Sequence, residues 1–549
     1  MQKKKTRWII VTGGVISTLG KGIVAGSIGT LLKMRNYKVT SVKIDPYINI
    51  DAGTMRPTEH GEVFVTYDGG ETDQDLGNYE RFLDEKIPKS HNITTGQVYR
   101  TVIEKERNLE YEGKCVEVIP HIPREVKRRL EEAAHNTNAD ICIVEIGGTI
   151  GDYQNVLFLD AVRTMKLKGA LMVFIHVSYL PVPHTAGEMK SKPTQHSVRQ
   201  LNENGIQADF IVGRSNKPID SVRREKLSMF CNVLPEDVIS CPDVDSIYEV
   251  PLMFSRQKFD EKILKKLELK PNKFNSTMTK WKKLVYNIRN PKVELKIGIV
   301  GKYFDSGDFT LEDSYISVIE AIKHACFRYK IKPVIQWISS PEFEDNPRTL
   351  NKLSNYDAVI VPGGFGSTGV EGKIKAIEYV RENNIPFLGL CYGLQMAVIE
   401  HARNVLGIKG ANSTEIDRNT NYPVIDILPE QKKNIVEKNY GATMRLGEYP
   451  ALLKKNSLVS KLYGNAKIIK ERHRHRYEVN PDFVEELESE GLVFSGMSPD
   501  RKLVEFLERS NHPYFVATQA HPEFTSRPLR PNPLFDGLIK SVLEKKNSF

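Results

Sequence analysis

Three side chains far apart in the sequence could do chemistry together. Cys391 lies in PFLGLCYGLQ, with Gly389 two residues before it and Gly393 two after. A short apolar run ends at the thiol, and a helix-compatible run, LQMAVIEHARNVLG, follows at once. That order predicts a strand turning sharply into a helix, with the glycines removing Cβ atoms that would crowd the turn. A thiol held there stands clear of the sheet at a helix N-terminus, where the dipole favours the thiolate. The alternative is an inert core cysteine, the commoner fate of a free thiol. The stretch FVATQAHPEF, residues 515–524, weighs against that alternative. It reads as a strand ending at His521-Pro522-Glu523. In extended chain residues i and i+2 share a side, so Glu523 is expected to steer the His521 imidazole while Pro522 keeps the segment extended. Nucleophile, base and orienting carboxylate form an acyl-transfer triad. The N–H of Tyr392 and the loop VPGGFG, with Gly363 and Gly364, are the candidate oxyanion donors.

A second constellation lies near the start of the chain. RWIIVT reads as a buried strand, GGVISTLGKG as a Gly-rich loop, and a helical pattern runs on to about Arg35. Strand, loop with Lys21, helix is the setting of a phosphate-binding loop. The match to GxxxxGK[ST] is imperfect. The spacing from Gly14 to Gly20 is one residue too long, and Gly22 stands where Ser or Thr should bind magnesium, leaving Ser17 and Thr18 as candidate hydroxyls. Lys43 and Asp45 end a second strand, where ligands gather in open parallel sheets. Four acidic residues lie between Asp68 and Asp75, a run that taken alone reads more readily as a solvated loop. ADICIVEIGGTIGD is a buried strand ending in Glu145, so Asp73 and Glu145 are candidate magnesium carboxylates. Lys190 and Lys192 precede Pro193, Thr194 and Gln195 beyond another buried strand.

The elements that must hold these groups alternate. Strands at ALMVFIHV, ADFIVG and DVISC, with helical patterns between, predict a doubly wound parallel sheet up to about residue 268. Residues 271–293 carry six basic and no acidic residues, include two prolines and read as a linker. A second α/β series starts at ELKIGIVGKY. Residues 411–440 read as an elaborated surface loop, and RHRHRYEVN as a charged strand or hairpin rather than a metal site. The chain's 549 residues suit about two to four domains. A net charge of +9, from 78 basic and 69 acidic residues, is diffuse and forms no stripe for nucleic acid. Six scattered cysteines without a CxxC pair point to a reducing cytoplasm and no disulfide framework. The apolar run after the first basic residues is too short for a signal peptide, and no run is long enough for a membrane span.

GLCYGLQ, VPGGFG and HPEF, in that order, resemble the class I glutamine amidotransferases over residues 294–549. Residues 1–270 resemble a variant P-loop ligase domain related to dethiobiotin synthetase. Taken together, VTGGVISTLGKG, KIDPYIN, HGEVFV, ETDQDLGNYERF, EIGGTIGD, KSKPTQHSV, KLSMFCNV and RHRHRYEVN resemble the CTP synthase family over essentially the full length. The resemblance implies two doubly wound domains, with an ATP-dependent amination of UTP to CTP fed by ammonia from L-glutamine. It implies ATP over Thr18, Leu19, Gly20, Lys21, Gly22 and Ile23, with Asp73 nearby and Pro242, Asp243 and Val244 at the adenine. It places UTP on Ser17, Lys43, Lys190, Ser191, Lys192, Pro193, Thr194, Gln195 and Lys226, and CTP as inhibitor over Asp152, Tyr153 and Gln154. It places glutamine on Gly364, Tyr392, Gly393, Leu394, Gln395, Glu415 and Arg476, and an ammonia path along Pro57, His60 and Val63. Mg2+ accompanies ATP on Asp73 and Glu145, GTP is an effector, and the assembly is a homotetramer with UTP sites between subunits. The chain departs from the family pattern at Thr368, where the lid from Gly364 to Lys373 otherwise carries Arg, so a weaker GTP response is expected. Two other readings stand beside this one. A cobyrinic acid amidating enzyme would lack KIDPYIN and KSKPTQ. A ParA-like ATPase would need GKGGxGKT and would leave the second half unexplained.

Overall fold

The computed structural model describes residues 5–183, 187–302, 305–306, 309–310, 312–428, 431 and 441–547. The chain forms two compact units, residues 1–51 with 75–285 and residues 52–74 with 286–549.

The first unit is built on a seven-stranded sheet. Its strands run in the order Asn92–Thr94, Val39–Asp45, Ile141–Ile146, Arg7–Gly14, Met172–Tyr179, Phe210–Ser215 and Val238–Pro242. All neighbours are parallel. The strands are apolar at nearly every position because both faces are covered, as parallel sheets require. Ile10, Val42, Ile44, Val144 and Phe174 share one core layer. Ile9, Val11 and Ile143 alternate to the other face, where Gly29 of the helix Lys21–Met34 lets that helix approach Leu83 and Ile143. The chain winds outward on both sides of Arg7–Gly14, so the loop after this strand opens at a topological switch point.

The stretch read as a linker contains the helix Ser276–Arg289. Its Met278, Trp281, Leu284 and Val285 are buried, and Trp281 Nε1 donates to Tyr248 O at 2.8 Å. The basic residues lie between these anchors, which hid the helical period.

The second unit holds a nine-stranded sheet, and only part of it is parallel. Ile331–Ser339, Val293–Gly301, Ala358–Val361, Phe387–Leu390 and Phe515–Thr518 are parallel neighbours. Val504–Arg509, Leu492–Met497, Arg445–Leu453 and Ile468–His475 continue it antiparallel. The short connections 498–503 and 510–514 permit antiparallel pairing and leave no room for crossover helices. Leu295, Ile297, Ile360, Leu388 and Val516 face one core, and Val300, Val359, Phe387 and Phe515 the other. The stretch 411–440, read as a surface loop, contributes Ala411–Ser413 and Tyr422–Ile427 to a small sheet with Tyr477–Val479. Residues 429–430 and 432–440 lie outside the described residues.

Candidate functional site

In the second unit the strand Phe387–Leu390 ends at Cys391, whose φ is 49° and ψ −98°, and the helix Tyr392–Asn404 starts at the next residue. A positive φ on a residue with a Cβ stores strain, and surrounding contacts must hold it there. The Cys391 N–H donates to Thr518 O at 2.7 Å, and Cys391 O accepts from Leu394 N and Gln395 N. A Cβ on Gly393 would overlap Val361 O, and one on Gly389 would come within 2.9 Å of Ala517 Cβ. The glycine bracket is therefore a packing requirement of the turn.

His521 Nδ1 lies 2.7 Å from Glu523 Oε1. The contact is made differently from the sequence expectation. The strand ends at Thr518, and Pro522 opens the 3-10 turn Pro522–Thr525 instead of extending the chain. A turn brings i and i+2 together as an extended segment would, and His521 N–H donating to Arg472 O at 2.7 Å fixes the ring's base. Burial works against a charged imidazole, but Glu523 and Cys391 outweigh it and raise His521 to about 10. His521 Nε2 has no hydrogen-bond partner among the described residues.

Gly363 comes so close that a Cβ there would lie 2.7 Å from His521 Cε1. The loop is pinned by Gly366 N–H donating to Glu415 Oε1 at 2.7 Å, by Tyr392 OH donating to Gly366 O at 2.6 Å, and by Lys302 donating to Phe365 O. A cavity of about 80 Å3 joins Cys391, His521 and Gly364 to Arg474, Val63 and Pro57. Both last residues belong to the 52–74 segment of this unit, which is anchored by Arg474 Nε on Glu71 Oε1 at 2.8 Å and Arg472 on Val65 O at 3.0 Å. His60 of the same segment sits 3.5 Å from Asp73 Oδ2. The expected lid ends sooner than the sequence suggested. The helix Val370–Glu382 begins at Val370, and Lys373 on it is buried above the Tyr392 ring, its pKa lowered to about 8 by burial and by the charge of Lys302. Thr368 is exposed in the loop before this helix.

In the first unit the loop after Arg7–Gly14 takes positive φ at Val15, Thr18 and Gly20. Lys21 Nζ donates to Gly148 O at 3.0 Å, and burial lowers its pKa against the pull of Glu145. Lys43 pairs with Asp75 and lies 3.2 Å from Glu145 Oε1, its register partner across the sheet. Burial raises the Glu145 carboxyl and Asp75 raises it further, against Lys43 and Lys21. Burial would lift Asp75 too, but there Lys43 prevails and holds it below the usual carboxylate range. Tyr79 OH donates to Glu145. Two lysines and two carboxylates thus meet at the C-terminal end of the sheet, around the Gly-rich loop. Among the described residues no group of three or more His, Cys, Asp or Glu is arranged to hold a metal.

Family models match both units: residues 7–269 the CTP synthase N-terminus, and residues 310–541 the class I glutamine amidotransferases. The chain is 53% identical over 549 residues to the CTP synthase of Methanococcus aeolicus, covering 98% of this chain and 99% of that one. The CTP synthase of Bacillus subtilis is 49% identical, with 99% of each chain covered. The chain belongs to the CTP synthase family. A solved Trypanosoma brucei CTPS glutaminase domain with bound acivicin is 35% identical, with a TM-score of 0.42, over 46% of this chain and 94% of that one.

The remaining family-implied positions can be located on this frame. Tyr392 and Gln395 are buried beside the thiol, whereas the Leu394 side chain belongs to the core. Arg476 is held by Gln431 Oε1 at 2.6 Å and Thr443 Oγ1 at 3.0 Å. Ser17, Tyr153, Gln154, Lys192 and Lys226 are exposed. Asp152 Oδ2 accepts from Thr149 N–H, Lys190 pairs with Glu188, and Thr194 Oγ1 accepts from Ser178 and donates to Tyr179 O. Asp243 pairs with Arg214 just beyond Pro242. These groups follow C-terminal strand ends of the first unit. Asp73 and Glu145 fall in different units. Sequence reasoning missed Asp75, Tyr79 and the buried chain Thr12–His176–Ser197, with links of 3.0 and 2.8 Å. Asp75 was within the acidic run noted above, but only the fold shows that it meets Lys43.

Proposed function

We propose that this chain makes CTP by ATP-dependent amination of UTP with nitrogen from L-glutamine. The observation that carries the reading is the Cys391–His521–Glu523 arrangement opening into a cavity that leads to Pro57 and Val63. Cys391 attacks the glutamine carboxamide, with Tyr392 N–H and the Gly363–Gly364 backbone taking the oxyanion charge and His521 delivering a proton to the departing ammonia. Water then releases glutamate from the thioester. In the first unit ATP phosphorylates the 4-oxygen of UTP, ammonia adds at that carbon, and phosphate leaves. Lys21 and Lys43 offset charge on the phosphoryl group in transit. The hard oxygen donor of Glu145, buried near Lys21, suits the magnesium that accompanies ATP. When bound, the ion neutralises triphosphate charge.

The same reading assigns GTP as effector, CTP as inhibitor, a homotetramer and a cytoplasmic setting. Among the described residues no helix is long and apolar enough to cross a membrane. With Thr368 in the lid, a charge-assisted hydrogen bond worth about 1.5–3 kcal/mol is replaced by a neutral one of about 0.5–1.5. GTP activation is then about tenfold weaker than with Arg and rises in Thr368→Arg. The reaction itself is tested with UTP, ATP, Mg2+ and glutamine labelled with 15N in the side-chain amide. The label is expected in the exocyclic amine of CTP. CTP formed without label, or no CTP, would overturn the proposal.

A further inference from the structure

Gln519 is wholly buried one residue beyond the strand Phe515–Thr518, and its backbone N–H donates to Glu505 O at 3.0 Å. Its side chain lies between two groups of the glutaminase centre. Nε2 donates to Cys391 Sγ at 3.6 Å, within reach of an N–H···S hydrogen bond, and Oε1 accepts from Gln395 Nε2 at 3.4 Å. The other Gln395 N–H donates to Tyr477 O at 2.9 Å. Both donors of Gln395 are thus committed, and its buried Oε1 has no partner among the described residues. The network fixes both amide orientations, since a flipped Gln519 would aim its oxygen at the sulfur and its NH2 at another NH2.

We propose that Gln519 is a positioning residue of the glutaminase, donating to the Cys391 sulfur and holding the Gln395 amide in one orientation. A donor to sulfur favours thiolate over thiol and is stronger toward the ion. As a thiol the sulfur itself donates to Arg474 O at 3.8 Å, a bond that the thiolate gives up while keeping the Gln519 donor. The other groups around the thiol are the His521–Glu523 pair, and the charge of His521 helps lower buried His473 and His475. The Gln519 amide places a side-chain N–H on the sulfur in addition to the His521 imidazole that acts on it.

The inference rests on Cys391 being the nucleophile, and two variants separate its parts. Gln519→Met keeps volume and loses both interactions. Gln519→Glu keeps an oxygen for Gln395 and loses the donor to sulfur. With glutamine hydrolysis followed against pH, both variants are expected to lose about tenfold in kcat, with the acid limb moving up by about one pH unit. KM for glutamine is expected to rise several-fold in Gln519→Met and to stay near wild type in Gln519→Glu. CTP formation from ammonium chloride reports whether the variants are folded. An unmoved acid limb in both variants, or a loss shared equally by the glutamine and ammonium reactions, overturns the role. Glutamine hydrolysis surviving Cys391→Ala would instead overturn the nucleophile on which it rests.

Discussion

Cys391 and its two glycines show how residue type dictates geometry. A Cβ at position 393 has nowhere to go but into Val361 O, so Gly393→Ala must tilt the helix that carries the nucleophile's neighbours. We expect it to cost roughly 1–3 kcal/mol of stability and to abolish glutamine-dependent CTP formation. Thermal unfolding with the glutamine assay checks this, and an active, equally stable variant would contradict it. His521 supplies a pH prediction. Its folded pKa of about 10 stands above its ordinary 6.5, so the stability it contributes is complete below about pH 6.5 and lost as pH rises towards 10. The fall in melting temperature between pH 7 and 10 is therefore expected to be shallower in Glu523→Gln. Identical slopes would show that Glu523 does not hold the imidazolium. The sharp turn at Cys391 and the His521–Glu523 contact were legible because a glycine-bracketed thiol and an HPE run carry their geometry locally. The Pro522 turn was not, because proline suits extended chain and the first position of a turn equally. Asp75 and Tyr79 were not legible either, since their meaning depends on Lys43 and Glu145 arriving from other strands.

At the scale of elements, the parallel strands were readable from apolar runs that needed two covered faces. The antiparallel half of the second sheet was not. Its strands alternate and carry buried charges such as Glu505 and Arg472, which pair only in three dimensions. The helix Ser276–Arg289 was not legible within the stretch read as a linker because lysines crowd its anchors. Trp281 packs between Phe82 and Tyr248, with ring centroids 6.0 Å from each. Trp281→Ala is expected to destabilise the first unit by about 3–5 kcal/mol. Urea unfolding followed by circular dichroism measures it, and a change below about 1 kcal/mol would return the segment to a passive linker.

For the whole molecule, chain order and compact units do not coincide. Residues 52–74 leave the sequence of the first unit and belong to the second, where they line the cavity reached from the thiol. Family-level resemblance located the functions but gave no sign of this exchange. Nitrogen release is proposed for the second unit and amination for the first. Glu145→Gln removes one charge from the cluster around Lys43. It is expected to lower CTP formation from glutamine and from ammonium alike by orders of magnitude while glutamine hydrolysis persists at a basal rate.

The most direct test of this division of labour is CTP formation by Cys391→Ala, measured in parallel with glutamine and with ammonium chloride as nitrogen source. The account predicts no product from glutamine and near wild-type synthesis from ammonium. Equal loss with both sources, or glutamine-dependent synthesis that survives the substitution, would contradict it.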